Sequence, residues 1–294
     1  MTTDGVRAST QMVGILGWPV RHSLSPVMHN SEFRRLGLDY VYLAWEVAPE
    51  FLEQAARGLR ALGAVGYNVT IPHKQAIVTC LDELSAEAKM IGAVNVVCLK
   101  DGRAIGYNTD AAGWRDDIEQ DIPLAGRSLF LIGAGGAARA VAVGACLAGV
   151  RRIVICNRRY ETAEALAEIL HHHFPKLQVE CGGPTSGECH QRIRECEVIV
   201  NATPVGMAGH GGSPIPAEWL APTHYVYDTV YTPAETPLLR AARERGCKTR
   251  NGIGMLVRQG ARAFRLWTGV DPDITEMEKT LVRALTSSGS PEGT

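Results

Sequence analysis

The chain has 294 residues, 46% of them apolar and 21% charged, with a formal net charge of −1. That length predicts one large or two ordinary domains with real cores. The charge balance supplies neither the basic excess that holds a nucleic-acid backbone nor the acidic run of a solvating tail, which leaves a small molecule as the expected partner.

Residues 1–10 and 287–294 are rich in small and polar types and are expected to fray. Segment 1–11 is polar and lacks an apolar signal-peptide core, and no stretch of about 18 uninterrupted apolar residues follows, so a cytoplasmic protein without a membrane span is expected. The cysteines at 80, 98, 146, 156, 181, 189, 196 and 247 form no C-x-x-C pair and read as reduced thiols. Cys181, Cys189, His190 and Cys196 have the wrong spacing for a zinc ribbon, so no metal is expected.

Apolar runs at 12–17, 40–45, 65–69 and 94–99 predict strands, and 26–36 and 50–62 predict helices with apolar positions recurring at three and four. Such alternation argues for an α/β domain with a mostly parallel sheet. Polar residues interrupt it in a few places. In 17–30, Ser23 and Ser25 alternate, so on an extended chain both hydroxyls point one way. Pro26 then opens a helix. Paired hydroxyls at a helix start suit a carboxylate, and N-capping by one serine is the plainer alternative. His22 and Ser23 are not a hydrolase dyad, because adjacent side chains on an extended segment diverge, and His29 reads as structural.

Residues 66–74 read G-Y-N-V-T-I-P-H-K. Asn68 and Thr70 break an apolar run, Pro72 stops the strand, and Lys74 opens the next segment. An amide, a hydroxyl and an amine around one strand-to-helix turn are groups for binding a polyol and moving a proton. Asn95 reads as a polar residue inside an apolar strand, which needs a backbone or ligand partner. Asp110 stands at a helix start, where an N-cap is the bland reading.

A second βα series follows, with strands at 128–132, 152–156, 198–201 and 225–229 and helices at 135–148 and 161–172. Segments 182–187 and 206–216 read as loops, the second a Gly- and Pro-rich candidate lid that closes on a cofactor. Between the first strand and helix of this series, Gly133, Ala134, Gly135, Gly136 and Ala137 form the tight turn by which a backbone approaches a pyrophosphate. An NAD site normally carries an acid about 20 residues later. Here Asn157, Arg158 and Arg159 stand instead, and two guanidiniums suit a 2′-phosphate, so NADP is expected, with NAD as the alternative. An exposed structural arginine pair is the competing reading. Two more helices, 254–268 and 274–285, end the pattern, and Gln259 lies in an otherwise apolar turn of the first.

The motifs H-S-x-S-P (22–26), N-V-T-x-P-x-K (68–74), G-A-V-N (92–95), N-T-D-x-x-G (108–113), G-A-G-G-A (133–137), Y-x-P-x-x-T-P-L-L (231–239) and G-M-L-x-x-Q (254–259) together resemble the shikimate dehydrogenase family from Gly14 to about Leu285. The resemblance implies an N-terminal α/β substrate domain completed by C-terminal helices (1–112 and 253–294) plus a Rossmann-type NADP domain (113–252). It implies a carboxylate on Ser23 and Ser25, and ring hydroxyls on Asn68, Thr70, Asn95, Asp110 and Gln259, with Tyr231 nearby. Lys74 and Asp110 become the acid–base pair, and Thr203, Thr229 and Gly252 join the cofactor contacts. The implied reaction is the reversible NADPH-dependent reduction of 3-dehydroshikimate, by a monomer or homodimer. Two departures bear on this. Val96 stands where the family usually has Thr, and N-R-R stands at 157–159 for the common N-R-T. The second arginine also occurs in relatives with dual cofactor use, so a quinate/shikimate dehydrogenase is the runner-up. An aminoshikimate dehydrogenase and a catalytically silent sensor of shikimate and dinucleotide are further alternatives. A sensor has no need of the Lys74 proton donor.

Overall fold

The computed structural model describes residues 5–183, 187–207 and 209–287, so the readings that fall on 1–4, 184–186, 208 and 288–294 lie outside the described residues. Contacts divide the chain into two units, Met1–Thr109 with Val257–Thr294, and Asp110–Leu256.

The first unit begins with β1 (Gln11–Gly17), α1 (Ser25–Leu36), β2 (Tyr40–Glu46), α2 (Leu52–Ala61), β3 (Gly66–Val69), β4 (Glu83–Leu84), α3 (Ala86–Ile91), β5 (Val96–Lys100) and β6 (Arg103–Tyr107). Its sheet runs β2-β1-β3-β5-β6-β4. β1 pairs in parallel with β2 and β3, but β5 is antiparallel to both β3 and β6. β4 pairs in parallel with β6, so three of the five pairings are parallel and the expected mostly parallel sheet holds, with β5 as its antiparallel member. The cause is local: Asp101 and Gly102 join β5 to β6 with φ of 50° and 73°. Two central residues with positive φ form the tight hairpin turn whose twist matches antiparallel strands. β4, α3 and β6 are additions to the elements read from sequence.

Alternation along β1 sends Leu16 to one face, with Tyr67, Val69, Val97 and Leu59, and Val13 and Ile15 to the other, with Phe33, Tyr42 and Val96. The sheet is thus covered on both faces. α2 lies on the first and α1 on the second.

The second unit contains α4 (Asp110–Ile118), β7 (Ser128–Ile132), α5 (Gly136–Leu147), β8 (Arg152–Cys156), α6 (Tyr160–His173), β9 (Gln178–Gly182), α7 (Gly187–Ile193), β10 (Val198–Asn201), β11 (Tyr225–Asp228), α8 (Pro237–Glu244) and β12 (Lys248–Asn251). Its sheet order is β12-β11-β10-β7-β8-β9, with every pairing parallel. Read from the first strand of the unit outward, this is the 3-2-1-4-5-6 order of a doubly wound dinucleotide-binding fold. β7, β10 and β11 are buried at every position, as strands covered on both faces should be. β9, α7, α8 and β12 are additions to the elements read from sequence. α9 (Ile253–Thr268) starts in this unit and ends in the first, where α10 (Ile274–Ser287) follows it. Ala263, Phe264 and Trp267 of α9 pack on the second face of the mixed sheet.

Among the described residues no helix is long and apolar enough to cross a membrane, and no group of three His, Cys, Asp or Glu side chains could hold a metal ion. All eight cysteines are free thiols.

Candidate active site

In the first unit the polar groups collect where β3 ends. The Asn68 side chain is buried. Its Nδ2 donates to the Asn95 carbonyl at 3.0 Å, and its Oδ1 accepts from the Tyr42 hydroxyl at 2.6 Å. Asn95 lies in the loop just before β5 rather than inside the strand, which corrects its expected position. It is buried and acts as a hub. Its Nδ2 donates to Thr109 Oγ1 at 2.9 Å and to Gln259 Oε1 at 3.2 Å, and its Oδ1 accepts from the Thr109 backbone N–H at 2.7 Å. Thr109, which the motif reading passed over, is thus one of the partners that Asn95 needed. Gln259 reaches the same cluster from α9.

Lys74 is half-buried, and its backbone is tied to this cluster. Its carbonyl accepts from the Val94 N–H at 2.7 Å, while the Val69 N–H donates to the Asn95 carbonyl at 2.9 Å. His73, next to it, is buried and donates from Nε2 to the Val47 carbonyl at 2.8 Å. Thr70 is half-buried and accepts the His73 N–H on its own carbonyl. Asp110 follows Thr109 directly, is buried, and opens α4.

Ser23 and Ser25 do not lie on an extended chain. The Ser23 N–H donates to the Val20 carbonyl, Leu24 has helical φ and ψ of −88° and −2°, and Ser25 is the first residue of α1. The Ser25 N–H donates to Ser23 Oγ at 3.3 Å. A turn plus a helix start, not alternation, therefore sets their directions. The first serine binds the helix start from one position before the usual cap.

The second unit carries a cradle at the C-terminal ends of β7 and β10, where the strand order reverses. Gly133 has φ of 111°, and a side chain there would meet Thr203 Cγ2 at 2.9 Å and the Ala202 carbonyl at 3.1 Å. Only glycine meets both demands. Ala134 is buried beneath the turn. Gly135, the N-cap of α5, makes no side-chain cap, and a Cβ on it would meet nothing within 4 Å. Gly136 and Ala137 then start the helix, whose first N–H groups and partial positive charge suit a pyrophosphate. At the end of β8, Asn157 donates from Nδ2 to the Arg159 carbonyl at 2.9 Å, and Arg158 and Arg159 are exposed. Among the described residues neither guanidinium has a carboxylate partner. The residues present therefore fit a dinucleotide with an extra phosphate.

One buried network here escaped the sequence reading. Asn201 Oδ1 accepts from the Thr203 N–H and hydroxyl, and Asn201 Nδ2 donates to Asp228 Oδ1 at 2.9 Å. Asp228 also accepts from the Val230 N–H and from Thr236 Oγ1 at 2.6 Å. Burial outweighs these donors and pushes the Asp228 carboxyl up to about 6. The signal was a polar residue closing each of two apolar strands. The Thr229 N–H donates to the Asn201 carbonyl, and Gly252 packs directly against the Thr229 backbone. Tyr231 is half-buried nearby in sequence, and burial raises its phenol.

Family models match the chain in three stretches. These are a shikimate dehydrogenase substrate binding domain at residues 15–97, a shikimate / quinate 5-dehydrogenase at 117–206, and a shikimate 5'-dehydrogenase C-terminal domain at 252–282. Shikimate dehydrogenase (NADP(+)) of Alkaliphilus metalliredigens is 43% identical over 276 residues, covering 93% of this chain and 96% of its own. A crystal structure of a shikimate dehydrogenase in complex with NADP+ superimposes with a TM-score of 0.89 at 42% identity, covering 96% of this chain and 98% of that one. Quinate dehydrogenase from Corynebacterium glutamicum in complex with NAD is also similar, with a TM-score of 0.85 at 33% identity over 93% of this chain and 99% of that one.

Proposed function

This chain belongs to the shikimate dehydrogenase family, and we propose that it interconverts 3-dehydroshikimate and shikimate with NADP(H), as a step of aromatic amino-acid biosynthesis through chorismate. It is then an NADP-dependent oxidoreductase acting on a CH–OH group. The observation that carries the reading is the buried amide cluster of Asn68, Asn95 and Gln259, to which the Lys74 backbone is tied. Amides and hydroxyls that both donate and accept are what a ring with several hydroxyls requires.

Residues 1–112 and 253–294 bind the substrate, and 113–252 bind the cofactor. Ser23 and Ser25 hold the carboxylate at the start of α1. Asn68, Thr70, Asn95 and Gln259 take the ring hydroxyls, with Tyr231 near the substrate. Gly133 to Ala137 receive the pyrophosphate, Asn157, Arg158 and Arg159 the 2′-phosphate, and Thr203, Thr229 and Gly252 complete the cofactor contacts. When bound, the nicotinamide supplies the hydride that reduces the ketone carbon. The chain itself must then deliver a proton to the ketone oxygen. Lys74 donates that proton, and Asp110 pairs with it as the other half of the acid–base couple while binding a ring hydroxyl. A cytoplasmic enzyme, monomeric or homodimeric, completes this reading.

Replacing a general acid removes stabilisation present only in the transition state. Lys74→Ala and Asp110→Asn should each lower kcat by about 10²–10⁴ while KM for shikimate moves by less than about tenfold. Near-normal turnover in either variant removes that residue from the couple.

A second reading, oxidation of quinate with NAD, draws on the likeness to the NAD-bound quinate dehydrogenase. The absence of an acid at 157–160 and the exposed Arg158 and Arg159 weigh for NADP.

A further inference from the structure

His29 and Asn30 close the run that starts at Ser23, and neither has a place in the chemistry above. In the structure both serve Tyr42. The His29 ring lies flat on the Tyr42 ring, with centroids 4.5 Å apart and planes 7° apart. Phe264 lies parallel to the same imidazole at 6.1 Å. His29 is fully buried and neither ring nitrogen has a hydrogen-bond partner. Burial lowers its pKa to about 3, so it stays a neutral, flat surface. Asn30 brackets the Tyr42 backbone: the Tyr42 N–H donates to Asn30 Oδ1 at 2.8 Å, and Asn30 Nδ2 donates to the Tyr42 carbonyl at 2.9 Å. Tyr42 itself is 1% exposed. Ring, backbone and strand register all hold it in one place.

What is held there is a hydroxyl, 2.6 Å from Asn68 Oδ1. The sense of that bond is determined. Asn68 Nδ2 donates to the Asn95 carbonyl, which can only accept. The amide oxygen therefore faces Tyr42, and the phenol must be the donor. An amide has two N–H groups and two lone pairs, and one of each is spent on these two bonds.

We propose that Tyr42 is a positioning residue for the substrate: by donating to Asn68 Oδ1 it fixes which edge of that amide meets a ring hydroxyl. This rests on the reading of Asn68 as a hydroxyl-binding residue. Without the phenol the amide keeps one anchor and can turn about its side chain, presenting the wrong mixture of donor and acceptor. The aromatic stack around His29 exists to carry the phenol, which accounts for a buried histidine that makes no hydrogen bond.

The test is a double-mutant cycle on shikimate oxidation. Tyr42→Phe keeps the ring and its stack and removes one oxygen. It should raise KM for shikimate about tenfold, the scale of one neutral hydrogen bond, with kcat within about twofold. Asn68→Ala should raise KM at least as much, and Tyr42→Phe in that background should add nothing. Unchanged KM in Tyr42→Phe overturns the proposal, as do additive effects, which would mean that Tyr42 acts other than through Asn68. If Asn68→Ala alone leaves KM unchanged, the reading of Asn68 fails and the proposal with it. An Asn68 effect without a Tyr42 effect removes the proposal alone. Should Tyr42→Phe melt below assay temperature, 3-fluorotyrosine at position 42 keeps the shape and strengthens the donor. A lower KM supports the proposal and an unchanged one overturns it.

Discussion

Asp228 ends β11 with no exposure and three hydrogen-bond donors around it. Its carboxyl is nevertheless pushed up from 3.8 to about 6, because burial penalises the charge more than the donors reward it. Between these two values the folded chain holds a proton that the unfolded chain has lost. The resulting stability is fully present below about pH 4 and is lost as pH rises through about 6, amounting to at most about 3 kcal/mol. Asp228→Asn removes this titration. The unfolding free energy of the parent, minus that of the variant, should therefore fall between pH 4 and pH 7 in urea titrations. A difference that stays level contradicts the assignment. At this scale Asn68, Asn95 and Gln259 were legible as polar residues that break an apolar pattern, whereas Lys74 and Asp110 stand at the starts of segments and took their expected role from the family motifs. Tyr42 and Thr109 were not legible, because their hydrogen bonds span 26 and 14 positions and follow from strand register and loop path, not from spacing. Ser23 and Ser25 were found by type, but their geometry depends on a turn that alternation does not reveal.

The β7–α5 turn shows what an element can disclose in advance. A strand, three glycines and a helix were readable as a phosphate cradle because the physical demands are local: positive φ at Gly133 and an uncapped helix start at Gly135. The same holds for the end of β8, where two exposed arginines replace an acid. These make a prediction about cofactor choice. Replacing Arg158 and Arg159 together by serine removes the charge-assisted partners of a 2′-phosphate, which should raise KM for NADP by about tenfold or more and leave KM for NAD within about twofold. Equal effects on both cofactors would mean that the pair does not read the phosphate. The hairpin of β5 and β6 is the counterexample. Asp101-Gly102 was a readable turn signal, yet the alternation of strands and helices masked it, so the one antiparallel strand, β5, within the mostly parallel sheet was not legible. The short pieces β4 and α3 offered too few residues for a period to emerge.

Across the whole molecule, the two-unit division was legible from the two βα series and the helical return after Asn251. Strand order was not, since pairing partners are chosen by packing between distant segments. The sheets of the two units differ in kind. One is mixed and carries the amide cluster and the lysine. The other is doubly wound and carries the phosphate cradle at its order reversal. An oxidoreductase of this family needs both, which a single binding module does not, and a silent sensor of shikimate and dinucleotide would need both without the lysine's proton. The most direct test is a set of initial rates with the purified full chain, using shikimate and quinate, each with NADP and with NAD. We predict turnover with shikimate and NADP at a kcat/KM at least about tenfold above every other pair, since each lost polar contact is worth about that factor. A preference for quinate with NAD, or binding without turnover for any pair, would contradict the account.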